Sequence, residues 1–369
     1  MEKKKKVTTR DIAKACFVSQ SAVSMILSGR TDMHFSAETI RLVQDTAQKM
    51  GYVYCPRTKR RKTGMTSTIM IMCPSLSTQY YTTLIQAITL AAEEQGLYVL
   101  TAYTNRIEER EKYYLHMAED NDHYGIIYTY APKAVSFLNR LYRQIPLVMI
   151  NDYNPELKTE LLELDSKKSG HLLARHLLSL GHREIAYVTT SLTPTELPRL
   201  RRLQEEFLQQ NLPGENVHIL SSPVDKESTS IDGNKHYDTG FQLIMQYFQK
   251  RRQKGEKHAS PAPLPPVTAF VGTNDFVAIG IIDALKKLGY TIPGDFSVCG
   301  FDNTLVSSFS GISLTTIDHA IGEKGAYAVS MLHSQRERLK DDSKKRAPLM
   351  RLEYEPQLII RNSTGKARI

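Results

Sequence analysis

Residues 7–29, VTTRDIAKACFVSQSAVSMILSG, contain two helix-start signals separated by a short turn. Thr8 and Asp11 have the spacing of a capping box, and Ser19 is a favourable N-cap for a second helix. The apolar positions that recur at helical spacing are Ile12, Ala15 and Cys16 in the first helix and Val23, Ile26 and Leu27 in the second. The stretch therefore predicts two short helices joined by a tight turn.

Residues 35–54, FSAETIRLVQDTAQKMGYVY, predict a third helix. Ser36 is a suitable N-cap, and Gly51 suits the left-handed position that ends a helix. The apolar face of this helix contains Ile40, Val43, Ala47 and Met50. Three small helices, the second with a polar outer face, are typical of a helix-turn-helix that inserts its second helix into the major groove of DNA. A generic helical bundle is the alternative.

Together, these two stretches resemble the DNA-binding head of the lactose and galactose repressor family. The resemblance implies that Gln20 and Ser21 contact base edges, while Thr8, Ser19 and Ser24 hold the head on DNA phosphates. A glutamine side chain pairs with adenine through two hydrogen bonds. We therefore expect a sequence-specific DNA-binding domain at the N-terminus.

Two residues of the head depart from the family pattern. Met25, which also belongs to the DNA-facing set, stands where the family commonly has arginine, and a thioether cannot donate a hydrogen bond to guanine. The operator sequence therefore does not follow from the resemblance. Phe17 replaces the glycine that is usual in the turn, which predicts a strained or differently shaped turn.

The positive charge of the chain is concentrated at the N-terminus. Residues 1–65 contain 14 Lys and Arg against 5 Asp and Glu, so their net charge of +9 equals that of the whole chain. A charged head on a neutral body predicts binding to a polyanion such as DNA, because binding to phosphates releases counterions.

The densest basic run, RTKRRK at 57–62, predicts a further DNA contact. The family resemblance implies a hinge that becomes helical on DNA and inserts a leucine into a minor-groove step. That leucine position is Arg61 here, and an arginine is a poor apolar wedge, so kinking of the DNA stays an open question. A disordered basic linker is the alternative. The residues assigned to DNA contact are Arg57, Lys59, Arg60 and Arg61.

From Ser67 onward, short apolar runs alternate with amphipathic helices, which predicts parallel sheets covered by helices on both faces. Two such series imply an α/β body of two Rossmann-like lobes. The family resemblance further implies that this body is similar in fold to periplasmic binding proteins. We divide the chain into a helix-turn-helix domain at 1–56, a basic hinge at 57–66 and a body at 67–369. Within the body, lobe 1 covers about 67–163 and 320–340, lobe 2 covers about 164–318 and 345–369, and a proline-rich, disordered insertion covers about 251–266.

The body also resembles the effector domain of the same family, through segments such as PSLSTQYY at 74–81, IPLVMIND at 145–152 and LTTIDHAIGEKG at 314–325. The resemblance implies a small-molecule effector, a sugar or a derivative, bound between the lobes at the carboxyl ends of the strands. The residues assigned to it are Tyr80, Tyr81, Asn151, Asp165, Arg199, Asn274, Asp302 and His319. A helix cap or a strand-end hydrogen bond is the alternative role for each of them except Asp302.

Several other classes of protein find no support in the sequence. The chain lacks the glycine-rich phosphate loops, the GxSxG elbow and the HExxH motif of common enzymes, and its four cysteines are scattered. We therefore expect no enzyme activity, no metal and no cofactor, and we find no membrane span or leader peptide. The sequence predicts a cytoplasmic homodimeric repressor on a pseudo-palindromic operator. The alternative is a cytoplasmic sugar-binding or sugar-modifying protein whose basic head binds nucleic acid without sequence specificity.

Overall fold

The computed structural model describes residues 7–27, 35–50, 52, 67–151, 154, 156–190, 196–221, 235–253, 266–340 and 348–368. The chain divides into two units, Met1–Gly64 and Met65–Ile369, which we call the head and the body. The predicted hinge residues Arg57, Lys59, Arg60 and Arg61 lie outside the described residues, as do residues 254–265 of the predicted insertion.

The head contains three helices, α1 (Thr9–Cys16), α2 (Gln20–Leu27) and α3 (Ala37–Lys49). Each predicted N-cap is present, whereas Gly51, the predicted end of the third helix, lies outside the described residues. Asp11 Oδ2 accepts hydrogen bonds from the backbone nitrogen and the hydroxyl of Thr8, at 2.9 and 2.7 Å. Ser19 Oγ accepts from Ala22 N and Ser36 Oγ accepts from Thr39 N, both at 3.1 Å. Side-chain capping therefore fixes where the helices begin.

The core of the head confirms most of the predicted apolar stripes. Its buried residues are Ile12, Ala13, Cys16, Val23, Ile26, Val43 and Ala47. The prediction was wrong for Ala15, which is exposed. Successive helical residues are about 100° apart around the axis, so Ala15 points away from the arc that Ile12, Ala13 and Cys16 share.

The turn between α1 and α2 is strained, as Phe17 predicts. Phe17 has φ 54° and ψ 36°, in the left-handed region, and its side chain is 96% exposed. Glycine occupies this region at no steric cost, whereas other residues do so at a cost of about 1 kcal/mol. The exposed ring has no buried contacts in the head that would offset this cost.

The body is built from twelve strands and eight helices in the described residues. The strands are β1 (Thr68–Cys73), β2 (Tyr98–Tyr103), β3 (Gly125–Tyr128), β4 (Leu147–Ile150), β5 (Glu160–Leu164), β6 (Ile185–Thr189), β7 (Val217–Ser221), β8 (Ala269–Gly272), β9 (Ser297–Phe301), β10 (Thr315–Asp318), β11 (Arg351–Tyr354) and β12 (Gln357–Ile359). The helices are α4 (Gln79–Glu93), α5 (Glu108–Asp120), α6 (Val135–Leu141), α7 (Ser166–Ser179), α8 (Glu196–Gln209), α9 (Lys235–Gln253), α10 (Asp275–Lys287) and α11 (Ile321–Lys340).

Lobe 1 is a six-stranded parallel sheet in the order β11-β5-β4-β3-β1-β2. Helices α4 and α11 cover one face, where Leu84 and Ala328 pack with Ile69 and Ile71. Helices α5 and α6 cover the other face. The central strands β1, β3 and β4 are almost wholly buried, as expected for a parallel sheet that is covered on both sides.

Lobe 2 repeats the arrangement with the order β12-β10-β9-β8-β6-β7. Its strands are parallel except for β12, which runs antiparallel to β10. Helices α7 and α8 cover one face and α9 and α10 the other. The α/β body of two parallel-sheet lobes therefore matches the predicted fold class.

The chain passes between the lobes three times, after β5, after β10 and after β11. The last passage corrects a predicted boundary. Strand β11 pairs with β5 in lobe 1, whereas residues 345–369 were all assigned to lobe 2. None of the described helices is both long and apolar enough to cross a membrane.

Candidate functional site

The first candidate site is the outer face of α2 in the head. Gln20, Ser21 and Ser24 are exposed, and Met25 is half-buried beside them. Thr8 and Ser19, which were assigned to phosphates, are also exposed. Helix α2 thus presents one amide and two hydroxyl groups on a single polar face, which is the chemistry that reads base edges in a major groove.

Short hydrogen bonds organise this face. Gln20 Nε2 donates to Thr9 Oγ1 at 3.1 Å, which ties the side chain to α1. The hydroxyl groups of Ser19 and Ser21 are 2.9 Å apart. The face is therefore partly preorganised, which lowers the entropy that its side chains lose on binding.

The second candidate site lies between the lobes of the body, at the carboxyl ends of the strands. Asn151 directly follows β4, Asp302 follows β9 and His319 follows β10. Asn151 and Asp302 have positive φ angles of 60° and 121°. Strained backbone of this kind turns strand-end side chains toward a shared space and occurs often at ligand sites. We call this site the cleft.

Side chains from lobe 1 form one wall of the cleft. Asn151 Nδ2 donates to Tyr80 OH at 2.5 Å. The Tyr80 ring packs edge-on against Tyr81, with centroids 5.2 Å apart, and against His319 at 6.0 Å. An aromatic edge and face at this position suit the apolar surface of a sugar or base.

Arg199 and Asp302 form the wall from lobe 2. Arg199 is buried, with its guanidinium carbon 3.8 Å from the centroid of the Phe301 ring and Nη1 donating to Thr273 O at 3.2 Å. Its Nε has no hydrogen-bond partner among the described residues. A buried donor without a partner is costly, so this nitrogen is available to a ligand.

Asp302 and His319 face each other. His319 Nδ1 lies 3.7 Å from Asp302 Oδ1, and the two side chains are 6% and 14% exposed. Burial raises the pKa of Asp302 well above its usual value, and the nearby Asp275 adds to this effect. Burial also lowers the pKa of His319 well below its usual value, helped by the charges of Lys324 and Arg199. Neither ring nitrogen of His319 has a hydrogen-bond partner within the described parts of the chain.

Asp275 positions the loop that carries Asp302. It is fully buried and accepts hydrogen bonds from Thr304 N, Thr304 Oγ1 and Thr316 Oγ1 at 2.7, 2.8 and 2.6 Å. Burial raises its pKa to about 6, against the opposing effect of these donors. Asp275 therefore clamps the segment after β9 onto β10.

Lys324 on α11 belongs to the cleft although the sequence analysis did not select it. It is fully buried, and Nζ donates to Tyr80 OH at 3.3 Å. The amine also lies 5.2 Å from the Tyr80 ring and 5.1 Å from the Tyr354 ring. Burial lowers the pKa of Lys324 to about 7, with Asp302 opposing and Arg199 reinforcing the effect. Its spacing of four from Ala328 and eight from Leu332 places it on the buried face of α11, and this periodicity was the available signal.

Asp165 and Asn274 each cap a helix, and effector binding by these two residues stays a prediction. Asp165 Oδ1 accepts from Lys168 N at 2.7 Å at the start of α7. Asn274 Oδ1 accepts from Val277 N at 2.9 Å at the start of α10. Both are helix N-caps, which was the alternative interpretation. Contacts link Tyr80 to Tyr81, Asn151 and His319, and His319 faces Asp302. Arg199 packs on Phe301, the neighbour of Asp302. Effector binding by these residues stays a prediction.

A further pair of basic residues lies at the side of Tyr81. Arg106, in the loop after β2 of lobe 1, donates from Nη2 to Tyr81 OH at 3.4 Å. The charge of Arg106 lowers the pKa of His236 at the start of α9 in lobe 2, in addition to burial and Lys235. Arg106 and His236 therefore approach each other from opposite lobes. Within the described residues, no group of three or more His, Cys, Asp or Glu side chains could hold a metal ion.

Comparison with known proteins places both sites in context. A family profile described as "Periplasmic binding proteins and sugar binding domain of LacI family" matches residues 66–220. A second, "Periplasmic binding protein-like domain", matches residues 174–364. The HTH-type transcriptional regulator DegA of Bacillus subtilis is 26% identical over 368 residues, which cover 98% of each chain.

Two solved structures share the fold. The LacI family transcriptional regulator from Enterococcus faecium with bound ribose superposes with a TM-score of 0.66 at 20% identity, covering 82% of this chain and 100% of that one. The lac repressor dimer bound to operator and the anti-inducer ONPF superposes with a TM-score of 0.65 at 20% identity, covering 98% and 100%.

Proposed function

The chain belongs to the LacI family of transcriptional regulators, and we propose that it is a repressor whose operator affinity is set by a small molecule bound in the cleft. The observation that carries this proposal is that Tyr80 from lobe 1 and Asp302 from lobe 2 both face His319, at a ring-centroid distance of 6.0 Å and an Nδ1–Oδ1 distance of 3.7 Å. The head of the same chain has the helices of a helix-turn-helix. Regulation rather than catalysis is its activity.

We propose that the head binds DNA through α2. Gln20 and Ser21 contact base edges, and Met25 contributes an apolar contact such as one to a thymine methyl group. Thr8, Ser19 and Ser24 bind phosphates, which fixes the register of the helix but does not specify sequence. The basic residues Arg57, Lys59, Arg60 and Arg61 add phosphate or minor-groove contacts.

The effector is a sugar or a sugar derivative. The carboxylate of Asp302 accepts hydrogen bonds from ligand hydroxyl groups, Arg199 donates to ligand oxygens, and Tyr80 packs against the ring. A ligand that contacts both walls at once favours the closed arrangement of the lobes, because it binds that arrangement more tightly. Closure changes operator affinity, and by linkage the operator changes effector affinity by the same factor.

We propose that the body dimerises and presents two heads to a pseudo-palindromic operator. The structural relative described as a lac repressor dimer bound to operator supports this arrangement. Two half-sites one helical turn apart, about 34–36 Å, match a two-fold pair of heads. A protein that acts on operator DNA works where the chromosome is, in the cytoplasm.

Selection from random DNA duplexes tests the proposal. The full-length protein should recover a consensus with two related half-sites. Salt-sensitive binding without a consensus would instead identify a sugar-binding or sugar-modifying protein with a nonspecific basic head. A replacement of Asp302 by alanine should remove the effector response and leave operator affinity unchanged.

A further inference from the structure

The charged side chains around the cleft differ in how well their charges are balanced. Three cationic side chains, Arg106, Arg199 and Lys324, lie around it. His236 and His319 lie there too, but burial lowers the pKa of each, so both are neutral at pH 7. Four carboxylates influence the same region, and they are Glu196, Asp275, Asp302 and Asp318. The kind of ligand that the cleft accepts depends on which of these carboxylates can balance the charge of the cationic side chains.

Three of the carboxylates are already engaged by hydrogen-bond donors. Asp275 accepts from Thr304 and Thr316. Asp318 accepts from Asn303 Nδ2 at 3.1 Å and Ala320 N at 2.8 Å. Glu196 Oε2 accepts from Thr189 Oγ1 at 3.2 Å. Asp302 accepts none of these hydrogen bonds, and burial raises its pKa well above the usual value, so it balances the cations poorly.

Lys324 and Arg199 are the most buried of the basic groups. Neither forms an ion pair with any carboxylate in the described part of the chain, and Lys324 is fully inaccessible to solvent. The polar contact of its amine is the hydroxyl of Tyr80 at 3.3 Å. A buried cation lowers the stability of the folded protein unless an anionic partner lies beside it. The hydrogen bond to Tyr80 and the two aromatic rings beside the amine do not neutralise its charge.

We propose that the effector carries a negatively charged group, a phosphate or a carboxylate on a sugar-like body, and that Lys324 together with Arg199 receives it. This inference rests on the proposed effector role of the cleft and names the chemical class of the ligand. Lys324 supplies a point charge, while the planar guanidinium of Arg199 can bind two oxygens at once. Asp302 remains free to accept hydrogen bonds from the hydroxyl groups of the same ligand.

The test compares matched neutral and anionic ligands on the full-length protein. The pairs are glucose with glucose 6-phosphate and gluconate, and ribose with ribose 5-phosphate, measured by thermal shift and calorimetric titration. Inorganic phosphate, against sodium chloride of equal ionic strength, serves as the minimal anion. The variants are Lys324→Met, which keeps the apolar stem, Lys324→Arg, which keeps the charge, and Lys112→Met, an exposed lysine on α5, as the matched control.

We expect at least one anionic ligand to bind about tenfold or more tightly than its neutral counterpart, since a charged hydrogen bond is worth a factor of about ten to a hundred. Lys324→Met should lose this preference, Lys324→Arg should keep part of it, and Lys112→Met should keep all of it. Inorganic phosphate should raise the melting temperature of the wild type and of Lys112→Met but not of Lys324→Met. Phosphate sugars and sugar acids in the same panel separate the two kinds of anion.

Three results would overturn the inference. One is equal or tighter binding of the neutral sugars. Another is an anion preference that survives in Lys324→Met. The third is a phosphate effect that is absent from the wild type or equal in all variants. Operator affinity, measured in parallel on each variant, separates this inference from the proposed function, because an intact operator complex with no anion preference refutes only the ligand class.

Discussion

Replacement of Lys324 by methionine should stabilise the ligand-free protein. The pKa of the buried amine is about 7, against 10.5 for an ordinary lysine. Each tenfold change in an acidity constant corresponds to about 1.4 kcal/mol, so the burial of this charge costs on the order of 5 kcal/mol below pH 7. Local relaxation around the amine reduces this free-energy cost, and methionine fills a similar volume. We therefore expect the free energy of unfolding to rise by about 2–4 kcal/mol at pH 7.

The same replacement should remove part of the pH dependence of the free energy of unfolding. The folded protein releases the Lys324 proton near pH 7, whereas the unfolded chain holds it until about 10.5. Between these values the unfolded state binds more protons, so the stability of the wild type rises as the pH increases. Lys324→Met should lack this rise. Below pH 7 both states of the wild type are protonated, and the full cost is present.

Urea denaturation of the full-length protein, followed by far-ultraviolet circular dichroism and tyrosine fluorescence, measures both effects. The chain contains 19 tyrosines and no tryptophan, so tyrosine is the intrinsic probe. Lys112→Met is the control. It should be slightly less stable than the wild type, because it loses the exposed ion pair with Glu108, but it should show the same rise in stability between pH 7 and 10. A Lys324→Met protein that is less stable than the wild type at pH 7, or that keeps the same rise in stability between pH 7 and 10, would refute the reasoning.

Four further outcomes can be checked on the head and the cleft. Phe17→Gly should raise the stability of the head by about 1 kcal/mol in thermal denaturation, because glycine removes the left-handed strain, whereas Phe17→Ala should gain little. Gln20→Ala should cost about 1–3 kcal/mol of discrimination at one base pair of the selected operator, and an unchanged preference in fluorescence anisotropy would remove Gln20 from the base-reading set. Asp302→Ala should abolish the change in operator affinity caused by the sugar phosphate or sugar acid that stabilises the wild type most, and a response of normal size would exclude Asp302 from the site. Arg61→Leu should increase DNA bending in a circular-permutation gel assay, since leucine is the better wedge, and equal bend angles would show that the assigned register is wrong.

Local chemistry explains why the start of each head helix could be predicted. Thr8, Ser19 and Ser36 act through hydrogen bonds to residues three positions away, so the sequence contains all the information. Edge strands lack such local signals. Residues 351–354, RLEY, alternate between exposed and half-buried positions, and only pairing with the distant β5 makes them a strand. This is why the boundary of lobe 2 was misplaced.

The cleft shows the same distinction between local and distant interactions. Asp165 and Asn274 precede helices, and a residue before a helix can cap it or bind a ligand with an identical sequence pattern. The contacts that assign them to caps lie within three residues. Lys324 was missed for the opposite reason, because its burial depends on Tyr80 and Tyr354, residues that are remote in the sequence. The helical periodicity of α11 places Lys324 on the buried face, but it does not show which aromatic side chains surround the amine.

The position of His319 has a consequence for how such a protein can change over time. This residue both faces Asp302 and lies in one of the three connections that join the lobes. A substitution there alters what the protein recognises and, simultaneously, how readily it bends. New ligand specificity acquired at this position would therefore reset the threshold at which the regulated genes respond, and a second substitution elsewhere would be needed to restore it.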